Sequence, residues 1–433
     1  MSHERQAPAF VCHGCGAALD PARTFPFACP NARPGDDVDH VLVGRFAARD
    51  SPRGDEDNPF LRYRQWLTPY RLARAVGLSD AAWIDLVGQL DLQLQAIDGR
   101  GFRITPMARQ PALAAALGLA GDLWIKDETR NVSGSHKGRH LAGVMLYLSV
   151  LAASGLALGE GVRRRRLSIS SCGNAALAAA IIARAADWPL DVFIPVDAEP
   201  SVVRRLGELG ATVVICERRQ SEIGDPCVRA ARAAVAAGAI PFSVQGPDNG
   251  LAVEGARTLA FEMAETFAAE GADVETLFVQ VGGGAFASAL AQGFAIAVAA
   301  GLVKRAPRLV AVQTEGCAPL ARAWRRLDGT GLKQAAQHRS QFMWPWESAP
   351  TSLAHGILDD ETYDWWEVVK AMRETGGEAI VANEAAIAQA HNLARQQTTI
   401  RVSATGAAGL AGALASPRAG RSTAAVFSGV DRA

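Results

Sequence analysis

From about residue 103 onward, short apolar and β-branched runs alternate with alanine-rich stretches of helical length. That alternation constrains the fold more than any other feature of the chain. The strand candidates are WIKDE, LSISS, DVFIPV, TVVICE, PFSVQ, TLFVQVG, RLVAVQT and AAVFSG. Between them lie NAALAAAIIARAA, SVVRRLGELG, EGARTLAFEMAETF and AFASALAQGFAIAVAA. Strands separated by helices pair in parallel, with helices covering both faces of the sheet. With 433 residues, 49% of them hydrophobic, the chain can build more than one such core. The expected architecture is α/β, with two lobes of mostly parallel sheet flanked by helices. A smaller lobe over residues 135–240 is set into a larger one formed by 63–134 and 241–433. Residues 1–62 form an N-terminal extension, irregular over 30–60, and a helical stretch follows over 63–98.

Charge excludes some functions. Lys plus Arg equals Asp plus Glu, so no net field draws nucleic acid or an anionic membrane. The basic run Arg163–Arg166 lies between an apolar helix and the strand LSISS, where it forms a solvated loop. The apolar stretch 144–158 contains Ser and Gly and is too short for a membrane span. The first ten residues lack the apolar core of a signal peptide, and the seven cysteines therefore read as reduced thiols or metal ligands. The expected location is cytoplasmic.

Four features sit at strand-to-helix junctions or strand ends, where α/β proteins bind ligands. Lys137 lies in SGSHKGR, after the strand WIKDE and before a helical apolar run. SSCGN (170–174) is a turn of small residues that opens a helix with Asn174. VGGGAF (281–286) puts Gly282, Gly283 and Gly284 ahead of a helix, offering backbone N–H groups and a positive dipole end to an anion. Ser428 stands in FSG after the last strand. The glycine run is not GxGxxG and has no acidic ribose partner, which disfavours a dinucleotide site.

In this order, and with ITPM, KDE, VEGARTLAFE and SATGAAGLAGAL, these motifs make residues 100–433 resemble the fold-type-II pyridoxal-phosphate enzymes. That group includes threonine synthase, serine/threonine dehydratase and the tryptophan synthase β chain. The resemblance implies pyridoxal 5'-phosphate as cofactor, with Lys137 as the Schiff-base lysine and His136 as a neighbour suited to proton transfer or to packing by the phosphate. It implies a cofactor-binding set of Asn174 at the ring hydroxyl, Gly282, Gly283, Gly284, Ala285 and Phe286 at the phosphate, and Ser428 at the pyridine nitrogen. Ser135, Ser171, Cys172 and Gly173 are the implied substrate contacts. Arg139 and His140 are expected at half-exposed helix positions. A neutral hydroxyl at the ring nitrogen suits prompt loss of a β-substituent.

The implied reaction is threonine synthase-like elimination or replacement on a small amino acid, including O-phosphorylated ones such as O-phosphohomoserine. The alternatives are an ammonia-lyase acting on threonine, serine or diaminopropionate, or a β-replacement synthase of the cysteate or tryptophan synthase β kind. His136 and Gly138 replace the Phe and Asp usual in threonine synthases, and VGGGAF is closer to the dehydratase and diaminopropionate ammonia-lyase loops. The family's habit is a homodimer. A non-catalytic α/β scaffold with a zinc ribbon is the contrasting reading. Its basis is the spacing of Cys12, Cys15 and Cys29, three ligands of a zinc knuckle that His40 or His13 could complete. Cys172, Cys216, Cys227 and Cys317 lie in core-like segments.

Overall fold

The computed structural model describes residues 9–45, 53–218, 225–327, 329–415 and 421–432. Residues 1–8, on which most of the signal-peptide reading rests, and 46–52 of the expected irregular stretch lie outside the described residues.

A six-stranded sheet runs in the order Glu378–Ala382, Arg308–Thr314, Thr276–Gln280, Thr423–Phe427, Leu123–Asp127 and Met107–Arg109. Every pair in it is parallel except the last. Side chains alternate across it as strand geometry requires. Leu277 and Val279 pack under the helices Arg257–Ala269 and Ala285–Ala299, while Phe278 faces the helices Glu384–Gln397 and Gly409–Ala415. Both faces are apolar, which is why these strands appear in the sequence as unbroken apolar runs.

A second sheet, entirely parallel, is ordered Thr212–Cys216, Leu190–Pro195, Leu167–Ser170 and Ile240–Pro241. The expected strand PFSVQ contracts to Ile240–Pro241. One further ladder bond, from Phe242 N to Ser168 O, follows before Ser243 Oγ accepts from Gln245 N and turns the chain. The buried helix Lys137–Ala153 packs between Asn174–Ala185 and Thr68–Ala75. Among the described residues no single helix is long and apolar enough to cross a membrane.

The first hundred residues hold more structure than their composition indicates. Ala18–Leu19, Ala9–Cys12 and Leu42–Arg45 form a small antiparallel sheet. The expected helix over 63–98 is broken into the pieces Thr68–Ala75 and Asp80–Asp98. Leu67 is extended just before the Thr68–Pro69 start, and Ser79 caps the second piece by accepting from Ala82 N.

Candidate active site

All four sequence features lie at the carboxyl ends of strands, and the C-terminal segment draws them together. Lys137 opens its helix immediately after a tight turn in which Ser133 and Gly134 both have positive φ. Val430 N donates to Gly134 O at 2.8 Å, and Ser135 forms an antiparallel bridge with Gly429. His136 donates twice to Ser428 O, from its backbone N at 3.1 Å and from Nδ1 at 3.0 Å. A carbonyl accepts only, so Nδ1 carries the proton and Nε2 presents a lone pair. Nε2 is buried without a partner. The His136 ring lies 4.2 Å from that of Phe286, which ties the lysine turn to the glycine turn.

Ser428 is buried, and its Oγ lies 2.6 Å from Gln280 Nε2. The same Nε2 donates to Gly406 O at 2.9 Å, which fixes the amide orientation and makes Ser428 Oγ an acceptor from Gln280. The serine proton is left to donate elsewhere. Asn174 begins the helix Asn174–Ala185, and its Oδ1 accepts from Arg432 at 3.1 Å. Its Nδ2 lies beside Gly429. Ser171, Cys172 and Gly173, in the turn before that helix, are half-buried or exposed.

The glycine turn leaves the strand Thr276–Gln280 and enters the helix Ala285–Ala299 through Gly284, whose φ is 92°. Ala285 and Phe286 are buried in the first turn of this helix. Residues 357–364 lie across the turn. Asp364 N donates to Gly283 O at 2.9 Å, and the Gly283 N–H points to the Asp359 carboxylate. A Cβ on Gly282 would run into Asp359 and the Ile357 backbone, and one on Gly283 would sit 3.1 Å from the Tyr363 ring. This strap, with Asp359, Asp360 and Tyr363, gave no signal in the sequence, because LDDETYDWW has neither strand nor helix periodicity.

Electrostatics favour a neutral lysine. Burial lowers the pKa of Lys137, while Asp359 and Asp364 pull it back up. Burial also raises Asp359, and it raises Asp364 to about 7. His136 is driven well below its usual value, first by burial and then by Lys137 and His140. His140 falls to about 3 for the same first reason.

Arg139 and His140 are fully buried, contrary to the expected half-exposed positions. His140 Nδ1 donates to Ala252 O at 2.7 Å. Arg139 grips Glu128 through Nε and Nη2, both at 2.9 Å, and reaches Glu262 through Nη1 at 2.5 Å. Lys126 Nζ adds 2.5 Å to Glu262 and 2.6 Å to Thr105 O. Two cations and two carboxylates thus balance within one core. Burial pushes Glu262 up, yet Arg139 and Lys126 hold it below the usual carboxylate range. Removing one partner of such a set leaves a buried charge uncompensated, a cost of about 3–5 kcal/mol. The network joins the strand Leu123–Asp127, the helix Arg257–Ala269 and the turn that presents Lys137. Its sequence traces are KDE, the Arg of HKGR and the Glu of GARTLAFE, which no local rule connects.

At the other end of the chain, the ligand atoms of Cys12, Cys15, Cys29 and His40 lie within 4.8 Å of one another. His13 instead pairs with Glu367 and packs on Trp366.

Comparison with known proteins agrees with this geometry. A family model described as pyridoxal-phosphate dependent enzyme matches residues 100–429. The chain is 25% identical to the threonine synthase of Mycobacterium leprae over 312 residues, 72% of this chain and 75% of that protein. It is 26% identical to the L-threonine ammonia-lyase of Thermotoga maritima over 311 residues, 72% of this chain and 66% of that protein. In fold, the structure of maize serine racemase superposes with a TM-score of 0.60 at 19% identity, covering 80% of this chain and 94% of that one. With the matched region holding the lysine turn, the asparagine turn, the glycine turn and the terminal serine, the chain belongs to the pyridoxal-phosphate dependent enzyme family.

Proposed function

We propose that the chain catalyses elimination or replacement on a small amino acid, with Lys137 as its catalytic base and a hydroxyl or amine as the group released. The observation that carries this reading is the convergence of Lys137, Ser428, Asn174 and the glycine turn around the Ser135–Gly429 bridge.

The residues present fit pyridoxal phosphate. The Gly283 N–H already faces an acceptor, a carboxylate oxygen of Asp359, and a phosphate oxygen is an acceptor too. When bound, the cofactor supplies an electron sink for the substrate's α-carbon. Gly282, Gly283, Gly284 and the helix start at Ala285 and Phe286 would hold its phosphate. Ser428 would donate its free proton to the ring nitrogen without forcing a charge there, and Asn174 would meet the ring hydroxyl. Lys137, shifted toward its neutral form by burial, would attach the cofactor through its amine and, once displaced by the substrate's amine, take the α-proton. His136, neutral and with a bare Nε2, packs beside it as an acceptor. Ser135 and the Ser171–Gly173 turn are the proposed substrate contacts, the latter at a helix start suited to a carboxylate.

The leaving group follows from charge. Asp359 and Tyr363 crowd the glycine turn, Asp360 adds negative charge beside them, and the basic group that acts on Asp359 is Lys137. The cofactor's phosphate would itself have to take the Gly283 N–H from Asp359, and these carboxylates would repel a second phosphate beside it, whereas an amine or hydroxyl brings no such charge. The likeness to a threonine synthase favours a second reading, formation of threonine from O-phosphohomoserine. A panel of threonine, serine, diaminopropionate, O-phosphoserine and O-phosphohomoserine separates the two. The expected products are a 2-oxo acid and ammonia from an unphosphorylated substrate. Threonine with inorganic phosphate overturns that expectation in favour of the second reading.

A further inference from the structure

We propose that Cys12, Cys15, Cys29 and His40 form a closed zinc site that fixes the N-terminal module against the strap over the glycine turn. The site is independent of the reaction and of the cofactor.

The ligand set is built from three turns. Cys12 ends the strand Ala9–Cys12, and Gly16 N returns to Cys12 O at 2.9 Å, so the chain folds into a knuckle that brings Cys15 back beside Cys12. Cys29 begins a second turn, closed by Ala32 N to Cys29 O at 3.1 Å. His40 stands two residues before the strand Leu42–Arg45. Cys12 Sγ lies 3.5 Å from His40 Nδ1, and Cys15 Sγ lies 3.5 Å from Cys29 Sγ. In a tetrahedral site, Zn–S bonds of about 2.3 Å and a Zn–N bond of about 2.0 Å place ligand atoms about 3.5–3.8 Å apart. These two spacings are of that size, and all four ligand atoms lie within 4.8 Å of one another. The sulfur–sulfur spacing is far longer than the roughly 2.05 Å of a disulfide.

Two further features point to a metal. His40 Nε2 lies 3.2 Å from Asp36 Oδ2, so the ring is held with Nδ1 toward the three sulfurs. A carboxylate on the distal nitrogen is the usual support of a metal-binding histidine. The module's own sheet is also small, and Phe10, Leu19 and Leu42 lean on the core that holds the helix Lys137–Ala153. The sheet has strands of four, two and four residues, which ordinarily needs a staple. Cys12 and Cys29 are buried, His40 is half-buried and only Cys15 is exposed, as in a structural site without an open position.

The loop that carries Asp36 and His40 is also the one that docks. Asp39 N donates to Ala336 O at 2.8 Å, and Arg339 N donates to Asp37 O at 2.8 Å. The Arg339 side chain pairs with Asp39 on one side and with Glu361 on the other. Glu361 belongs to the strap. Metal binding therefore sets the position of a loop that is linked by one arginine to the segment lying over Gly283.

The test is metal analysis of the full-length protein purified under reducing conditions, with and without added zinc, followed by cobalt substitution. One zinc per chain is expected, with cobalt giving tetrahedral d–d bands and sulfur-to-metal charge transfer. Cys15→Ser, at the exposed ligand, and His40→Ala should each lose the zinc, and Asp36→Asn should weaken its binding by about 10–100-fold. Chelation should lower the unfolding midpoint of the wild-type protein. Only trace zinc or cobalt in wild-type protein exposed to either metal overturns the proposal. So does Cys15→Ser that holds as much zinc as wild type. Cofactor absorbance, read on the same samples, reports separately on the site at Lys137.

Discussion

A carboxylate buried among other carboxylates keeps its proton to higher pH, and Asp364 is such a residue. Burial comes first among the causes that raise it to about 7, with Asp39, Glu367 and Asp248 adding to it and the Gly246 N–H opposing. Between its unfolded value of about 3.9 and that raised value, the folded chain holds a proton that the unfolded chain has lost. This contribution to stability therefore declines as pH rises through the window and levels off above it. Asp364→Asn keeps an acceptor for Gly246 N and removes the titration. Urea unfolding at about pH 5 and about pH 8 should show a smaller loss of stability in Asp364→Asn than in wild type; an equal loss would contradict the assignment. At this scale the sequence was uneven. The place of Lys137 was legible because its neighbours in sequence announce a turn and a helix start. Arg139 and His140 were not, because a charge on a helix reads as solvated until its partners are known. Of those partners, Glu262 and Ala252 lie more than a hundred residues away, and Glu128 lies across a turn.

Among the elements, the glycine turn is the most exacting. Gly284 combines a φ of 92° with a would-be Cβ 2.8 Å from Thr362 Cγ2. Gly301 has a φ of 74° with nothing within 4 Å, so it isolates the backbone cost. Gly301→Ala should lose about 1–2 kcal/mol, the price of a left-handed conformation. Gly284→Ala should lose more and should also retain less cofactor, measured by urea unfolding and by absorbance after dialysis. Equal losses with unchanged cofactor retention would remove the packing argument. Strand and helix identity in this region was legible because short unbroken apolar runs and longer apolar helices leave a local trace. The strap 357–364 was not legible, because it depends on what the chain packs against. The break between Thr68–Ala75 and Asp80–Asp98 does carry a local signal, Gly77 at φ 87° and the Ser79 cap, which the continuing apolar pattern masks.

For the molecule as a whole, the alternation of strands and helices foretold parallel sheets flanked by helices, but not their strand order. The last strand, Thr423–Phe427, enters between Thr276–Gln280 and Leu123–Asp127. That insertion carries Ser428 to His136 and brings the two ends of the matched region together. Pairing across some three hundred residues has no local signature, so the convergence of the site could be anticipated from family likeness and from nothing shorter in range. The central claim is that this convergence makes Lys137 the cofactor's attachment point. The chain has five lysines, at 126, 137, 304, 333 and 370, and Lys126 is held by Glu262. Borohydride reduction of the protein loaded with pyridoxal phosphate, followed by peptide mass mapping, decides among them. The account predicts a pyridoxyl label on Lys137 alone, absent in Lys137→Ala; a label on another lysine of the native protein, or none, would contradict it.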